Sequence, residues 1–419
     1  MSSHLIVVLM LDLALAALLA RGAGAVARRL GQPPVVGEVV MGILLGPTLL
    51  HGALTRTLFP MEVRGFLSAF ADLGIILFMF VTGMEFDWGT DRSLRRTATG
   101  IGLGSIVLPF GLGIALSLWW VTGTAAVTPL SAHLFMGLAL SVTAFPVLAR
   151  ILDDRDMGRL PLGRLALASA ALCDLVAWIL LAVVLLIGAG ATALRHLVWV
   201  PPYLLLLAAG VPLLRRLASS RSGRLEPVAV LAGLLASCAA TEWMGLHFIF
   251  GAFAFGATVA CVRRSHGEEV LKPVTDNVRG IGLSLLMPVY FVAAGWQVDL
   301  STLRPAQLLQ LAVLLAAAVG GKVLGAMAAA RLAGLRPRES AALGVLMNTR
   351  GLTELIVLTA GRQSGLLNGV SYTLLVAMAV LTTIATGPVI NLLIGRPEAR
   401  PGPTPVPVPV RAVVLQRQA

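Results

Sequence analysis

The chain has 419 residues, 57% of them hydrophobic and only 12% charged, with a mean hydropathy of +0.89. That balance excludes an ordinary soluble domain and places the chain among membrane proteins. A formal net charge of +12 invites a nucleic-acid partner, but the basic residues gather in particular connections between apolar stretches, which makes them orientation signals instead.

A bilayer-crossing helix needs about 20 mostly apolar residues, and the chain offers about thirteen such stretches. In order they are 5–27, 34–50, 65–84, 98–121, 131–150, 162–188, 196–217, 226–243, 245–262, 280–296, 306–330, 339–361 and 370–394. The eighth and ninth divide at Trp243-Met244-Gly245, and the tenth is short. The first apolar run lacks a basic leader and continues as an ordinary span, so no cleaved signal is expected. With the N-terminus outside, the cytoplasmic connections hold Arg28, Arg29, Arg92, Arg95, Arg96, Arg150, Arg155, Arg215 and Arg216 among many others. The opposite connections hold only Arg56, Arg64, Arg195, Arg304 and Arg362. This positive-inside pattern predicts a multi-pass protein of the plasma (cell inner) membrane with a cytoplasmic C-terminus. Cys173, Cys238 and Cys261 all fall in spans and the six histidines are scattered, so neither a disulfide framework nor a metal-ligand cluster is expected.

An internal repeat organises the spans. Leu77 to Asp87 aligns with Val289 to Asp299, each closing a span with Gly followed four residues later by Asp. One span earlier in each half, Gly37 and Gly42 match the spacing of Gly251 and Gly256. Spans one to six therefore correspond to spans eight to thirteen, with span seven as a linker. The equivalent spans lie an odd number of crossings apart, so the second half is inserted upside down. Inverted repeats of this kind place a substrate site near the midplane, where broken helices of the two halves meet.

Two spans carry the signals of such breaks. Span five contains Ser141-Val142-Thr143-Ala144-Phe145-Pro146, and span twelve contains Asn348-Thr349-Arg350-Gly351-Leu352-Thr353-Glu354. Pro146 removes a backbone donor and Gly351 permits unwinding. Freed carbonyls with the hydroxyls of Ser141, Thr143 and Thr349 would offer hard oxygen ligands to a small cation. An ordinary proline kink is the plainer alternative.

Asp174 lies at the midpoint of the sixth span, where an ionisable group costs about 2.5–3.5 kcal/mol on insertion scales. Burial disfavours its charge and a nearby cation favours it, so Lys322 within reach leaves a carboxylate that takes either a proton or a metal cation. Of the 32 basic side chains only Lys272 and Lys322 are lysines, and Lys322 sits deep in an apolar span. Snorkelling toward an interface is the competing reading of Lys322. Arg350 and Glu354 stand four apart, on one face of a continuous helix. Arg350 reads as support for the crossing helices, and Glu354 as a weaker candidate on the ion path, with Asn348 and Thr349. Asp72 and Glu38 are candidates for an entry funnel, with a hydrogen-bonded structural role as the equal alternative. Glu85 and Asp87 lie at a cytoplasmic end, and Asp153 to Asp156 reads as a solvated loop.

These residues resemble the monovalent cation:proton antiporter superfamily, particularly its second branch of Kef-type proteins and plant cation/proton exchangers. The resemblance covers about residues 5–395 and is carried by Pro33 to Pro47, Leu73 to Asp87, Ser141 to Leu152, Cys173 to Ala182 and Asn348 to Leu358. It implies an all-α membrane protein with the sodium/proton antiporter fold, built as two inverted repeats of about six helices with crossed discontinuous helices. It further implies a homodimer formed by a panel part (about 5–84 and 226–296), and a mobile core part (about 98–188 and 306–394), with 196–217 as the linker helix. Asp174 would be the ion- and proton-binding aspartate, Lys322 and Arg350 basic partners, and Thr143 part of the crossing. The resemblance implies no cofactor and a secondary active transporter rather than an enzyme, with Na⁺ or K⁺ and H⁺ as substrates. Cys173 stands where electrogenic relatives carry a second aspartate. A thiol is ordinarily neutral, so one carboxylate and electroneutral exchange are expected. The alternative reading is a Kef-like, ligand-gated potassium efflux system that needs an external regulatory subunit. The Pro-rich stretch 397–419 is too short to hold a nucleotide-binding regulatory module, so regulation in cis is not expected.

Overall fold

The structure, a computed structural model, describes residues 3–49, 52–85, 92–119, 128–218, 226–301 and 303–394, apart from 154, 159, 268 and 270. The regular structure of these residues is entirely helical. Asp87, Asp154 and the expected tail lie outside the described residues.

The chain begins with α1 (Ser3–Arg29), α2 (Pro34–Leu45), the short α3 (Ala53–Leu58) and α4 (Met61–Glu85). It continues with α5 (Arg92–Ser117), α6 (Pro129–Ser141), α7 (Phe145–Asp153) and the long α8 (Pro161–His196). Then come α9 (Val200–Ala218), α10 (Pro227–Trp243), α11 (Phe248–His266) and α12 (Lys272–Asn277), which runs through π-helical turns at Val278–Leu286 into α13 (Met287–Gly295). The last four are α14 (Pro305–Leu332), α15 (Pro337–Met347), α16 (Leu352–Gln363) and α17 (Gly369–Ile394). Pro34, Pro129, Pro227, Pro305 and Pro337 each open a helix, where the missing N–H would have had no intrahelical partner.

A helix stands at every position the hydropathy pattern predicts. Among the described residues, eight helical segments are long and apolar enough to cross a bilayer, and the bent pair α15 and α16 makes a ninth. Pro34–Leu45, Pro227–Trp243 and Phe248–Arg263 are shorter apolar helices. The tenth stretch is the main boundary correction. It begins at Lys272 rather than 280, because α12 and the π-helical turns continue without interruption into α13.

Close packing in the first and third quarters of the chain depends on glycines. A Cβ on Gly42 of α2 would sit 2.5 Å from the Val292 carbonyl of α13, and one on Gly295 would sit 2.5 Å from the Val39 carbonyl. The aligned pair behaves alike: a Cβ on Gly83 of α4 would sit 2.3 Å from the Phe253 carbonyl of α11, and one on Gly256 would sit 2.3 Å from the Phe80 carbonyl. Gly37 lies against Ala23 of α1 as Gly251 lies against Ser237 of α10. Glycine is required here for space, not for backbone freedom. Elsewhere, α5 packs along α14 with Gly104 and Gly325 in mutual contact, while α6, α7 and α8 pack beside them.

Candidate ion-binding site

The midplane site arises from two helices that stop and restart. α6 ends at Ser141 because Val142 adopts an extended backbone, and α7 resumes at Phe145 with Pro146 in its first turn. Pro146 thus starts a new helix rather than kinking an old one. α15 ends at Met347, and α16 begins after Gly351, whose φ of 157° and ψ of −122° lie in glycine territory. The two axes differ by 43°. The two breaks bind each other. The Ala144 N–H donates to the Thr349 carbonyl at 2.9 Å, and the Thr143 hydroxyl donates to the Met347 carbonyl at 3.0 Å.

A broken helix leaves carbonyls at one stump and N–H groups at the other, with partial negative and positive charge respectively. Lys322 and Arg350 serve the carbonyl stump of α6. Lys322 Nζ donates to the Ser141 carbonyl at 2.5 Å and to the Thr143 hydroxyl at 2.6 Å. Arg350 donates to the carbonyls of Ala139 at 2.8 Å and Leu140 at 2.6 Å. Both side chains are fully buried. Lys322 therefore does not snorkel. Arg350 also meets Glu354 Oε1 at 2.8 Å, in an ion pair with no solvent exposure on either side. The Thr383 hydroxyl of α17 closes the network by donating to the Arg350 carbonyl at 2.6 Å.

Asp174 attends the opposite stumps. The polar groups that act on its carboxyl are the Phe145 backbone N–H, at the start of α7, and the Thr353 hydroxyl, in the first turn of α16. A carboxylate is favoured at both helix starts. Asp174 is 95% buried, yet its Oδ1 has no hydrogen-bond partner. Lys322 is the cationic side chain that acts on it.

The remaining candidates take distinct positions. Cys173 turns toward α5, with Sγ 3.2 Å from Ser105 Oγ and 3.5 Å from the Gly102 carbonyl. The Ser141 hydroxyl donates to the Gly137 and Ile106 carbonyls, so its contribution to the crossing is its carbonyl. The Thr349 hydroxyl donates to Leu346. Asn348 Oδ1 and Glu354 Oε2 are buried without a partner. Asp72 is not brought to the crossing; it lies on α4 with Glu242 of α10 and Tyr290 of α13 as its titratable neighbours. Sequence reasoning passed over Phe145, Thr353 and Thr383. The signal for Thr353 was present, since a break at Gly351 makes it a first-turn residue of the restarted helix.

Comparison with known proteins follows the same line. Residues 14–394 match the family model described as "Sodium/hydrogen exchanger, transmembrane". The chain belongs to the sodium/hydrogen exchanger family. Cation/H(+) antiporter 18 of Arabidopsis thaliana is 38% identical over 377 residues, covering 87% of this chain and 46% of the plant protein. This chain therefore spans about half the length of that relative. The Na(+)/H(+) antiporter NhaS4 of Synechocystis is 35% identical over 390 residues, covering 89% of this chain and 93% of the relative. The solved structure of the sodium proton antiporter MjNhaP1 from Methanocaldococcus jannaschii superposes with a TM-score of 0.69 at 12% identity. It covers 92% of this chain and 96% of its own, and it shares the fold.

Proposed function

We propose that this exchanger trades a monovalent cation, Na⁺ or K⁺, for protons at a single site built on Asp174. The observation that carries the reading is the free Oδ1 of a buried carboxylate at the meeting point of two broken helices. An unpaired charge there is costly, so the oxygen binds either a proton or a cation and the two compete. Lys322 and Arg350 neutralise the α6 stump whichever ligand is bound. With one carboxylate and a thiol at position 173, one-for-one exchange is the expected stoichiometry.

Alternating access is assigned to relative motion of two sets of helices. α5 packs on α14, α6 and α8, whereas α4 packs on α11 and α13, and α2 on α1 and α13. Asp174 and Lys322 lie on the first set, which α7, α15 and α16 join by packing on α8, α14 and α6, so moving it as a body carries both breaks, Arg350 and the intact site. The second set is the proposed static panel and dimer contact. The reciprocal glycine contacts support an inverted repeat relating α2 to α11 and α4 to α13. The arginine asymmetry supports a plasma (inner) membrane location with the N-terminus outside.

The test is proton flux in proteoliposomes with an imposed pH gradient, on adding Na⁺, K⁺, Li⁺ or Rb⁺, for wild type and Asp174→Asn. Gradient collapse that disappears in the variant supports exchange at Asp174 and names the ion. Cation flux without proton movement would sink the reading.

A further inference from the structure

Several hydrogen bonds tie the two sets of helices together at the face where α10 turns into α11 and α16 turns into α17. α17 packs on α14, α15 and α16 and so travels with the set that carries Asp174, whereas α10 packs on α11 in the other set. Tyr372, near the start of α17, donates its hydroxyl to the Ala294 carbonyl of α13 at 3.0 Å. Beside it, Thr373 Oγ1 accepts from the Asp299 N–H at 3.2 Å. On α16, Thr359 Oγ1 lies 3.3 Å from Tyr290 Oη of α13. At the rim, His247 Nε2 lies 3.2 Å from Gln363 Oε1. We propose that these four contacts form a latch, which closes this face of the exchanger and parts each time the site is exposed to it. The assignment rests on the alternating-access reading of the two sets.

The placement suits a seal. Thr359 stands seven residues beyond the start of α16, about 10 Å along the axis, so the latch lies between the helix break and this face. Tyr290, Thr359, Tyr372 and Thr373 are all buried, which makes the contact dry. The chemistry suits release. The last carbonyls of α13 have no intrahelical donor. Those of Val292, Ala293 and Gly295 are met from their own chain segment, by the Trp296 N–H, the Gln297 side chain and the Val298 N–H. That of Ala294 is met by Tyr372 of the other set. Three of the four pairs join neutral groups, which exchange a protein partner for water at small net cost, whereas a dry ion pair would hold the sets shut. The Arg362 guanidinium, 5.3 Å over the Tyr372 ring, fixes that ring within its own set. A cavity of about 260 Å³ adjoins the rim, with Gly188 and Ser364 on one side and Glu242 and His247 on the other, so the rim is not packed solid.

The experiment joins the two sides of the latch. Cys173 and Cys238 are buried, and Cys261→Ser removes the third thiol. In that background, His247→Cys/Gln363→Cys is reconstituted in proteoliposomes and treated with a short bifunctional maleimide, and the linked peptide is identified by mass. Cation-driven proton flux should be lost on linking, while each single-cysteine variant keeps its flux under the same treatment. Full flux in the linked protein would overturn the latch. A second measurement needs no transport. Spin labels on Trp243→Cys and Ser364→Cys, on opposite sides of the rim, report the distance between the sets. Tyr290→Phe/Tyr372→Phe removes two hydroxyls and keeps both rings, and the share of molecules at a second, parted distance should grow about fivefold for each hydrogen bond lost. A distance distribution identical with and without the two hydroxyls would overturn the assignment. A wild type silent with every cation would instead remove the exchange reading, while the spin-label distances still decide the latch.

Discussion

Replacing Arg350 by methionine tests a fully buried charge. The change removes the partner of Glu354 and two donors to the end of α6, at Ala139 and Leu140. Breaking a buried pair by deleting one member costs about 3–5 kcal/mol, because the other charge is left uncompensated. Unmet stump carbonyls add about 1–3 kcal/mol. The terms overlap, so about 4–6 kcal/mol is the working expectation. Removing Glu354 as well, in Arg350→Met/Glu354→Met, eliminates the stranded charge and should recover about 2–4 kcal/mol while leaving the carbonyl loss. For a chain of this size, 1 kcal/mol moves the melting midpoint by about 1 °C. Thermal unfolding of detergent-purified protein, followed by intrinsic fluorescence, should therefore show Arg350→Met about 4–6 °C below wild type. The double variant should fall in between. A double variant no more stable than Arg350→Met would refute the argument that the stranded carboxylate dominates. An Arg350→Met midpoint matching wild type would refute the capping role altogether.

Two further outcomes follow from packing and from titration. Gly83→Ala places a methyl 2.3 Å from the Phe253 carbonyl and should cost about 1–3 kcal/mol, whereas Gly100→Ala, with no atom within 4 Å, should be neutral or gain about 1 kcal/mol; the same melting assay ranks them. His247 lies in the turn between α10 and α11, with Nε2 3.2 Å from Gln363 Oε1 and Nδ1 buried without a partner. Burial holds its pKa below the ordinary 6.5 despite the opposing influence of Gln363 and Glu242. The unfolded chain thus takes up this proton first, and stability falls as pH drops from 6.5 through the folded-state value. His247→Asn should flatten that acid limb of a melting-versus-pH curve; an unaltered limb would exclude His247 as a contributor.

Hydropathy and spacing were enough to place a helix at every predicted position, because a membrane helix must meet its backbone needs internally and so announces itself locally. They were also enough to locate both breaks, since Pro146 and Gly351 act on their own backbone. The start of the tenth span at Lys272 was missed because the polar run before 280 reads as a loop until packing holds it helical. The candidate charges were legible one by one, as ionisable groups in apolar surroundings. Their pairing was not. Only the folded chain decided that Lys322 and Arg350 serve the carbonyl stump of α6 rather than Asp174 directly. Only the fold removed Asp72 from the crossing and gave Asp174 to Phe145 and Thr353. Asp174 and Thr353 lie six spans apart along the chain, and no local periodicity links them. What joins them is the requirement that four helix stumps, buried away from water, satisfy one another across the same small volume.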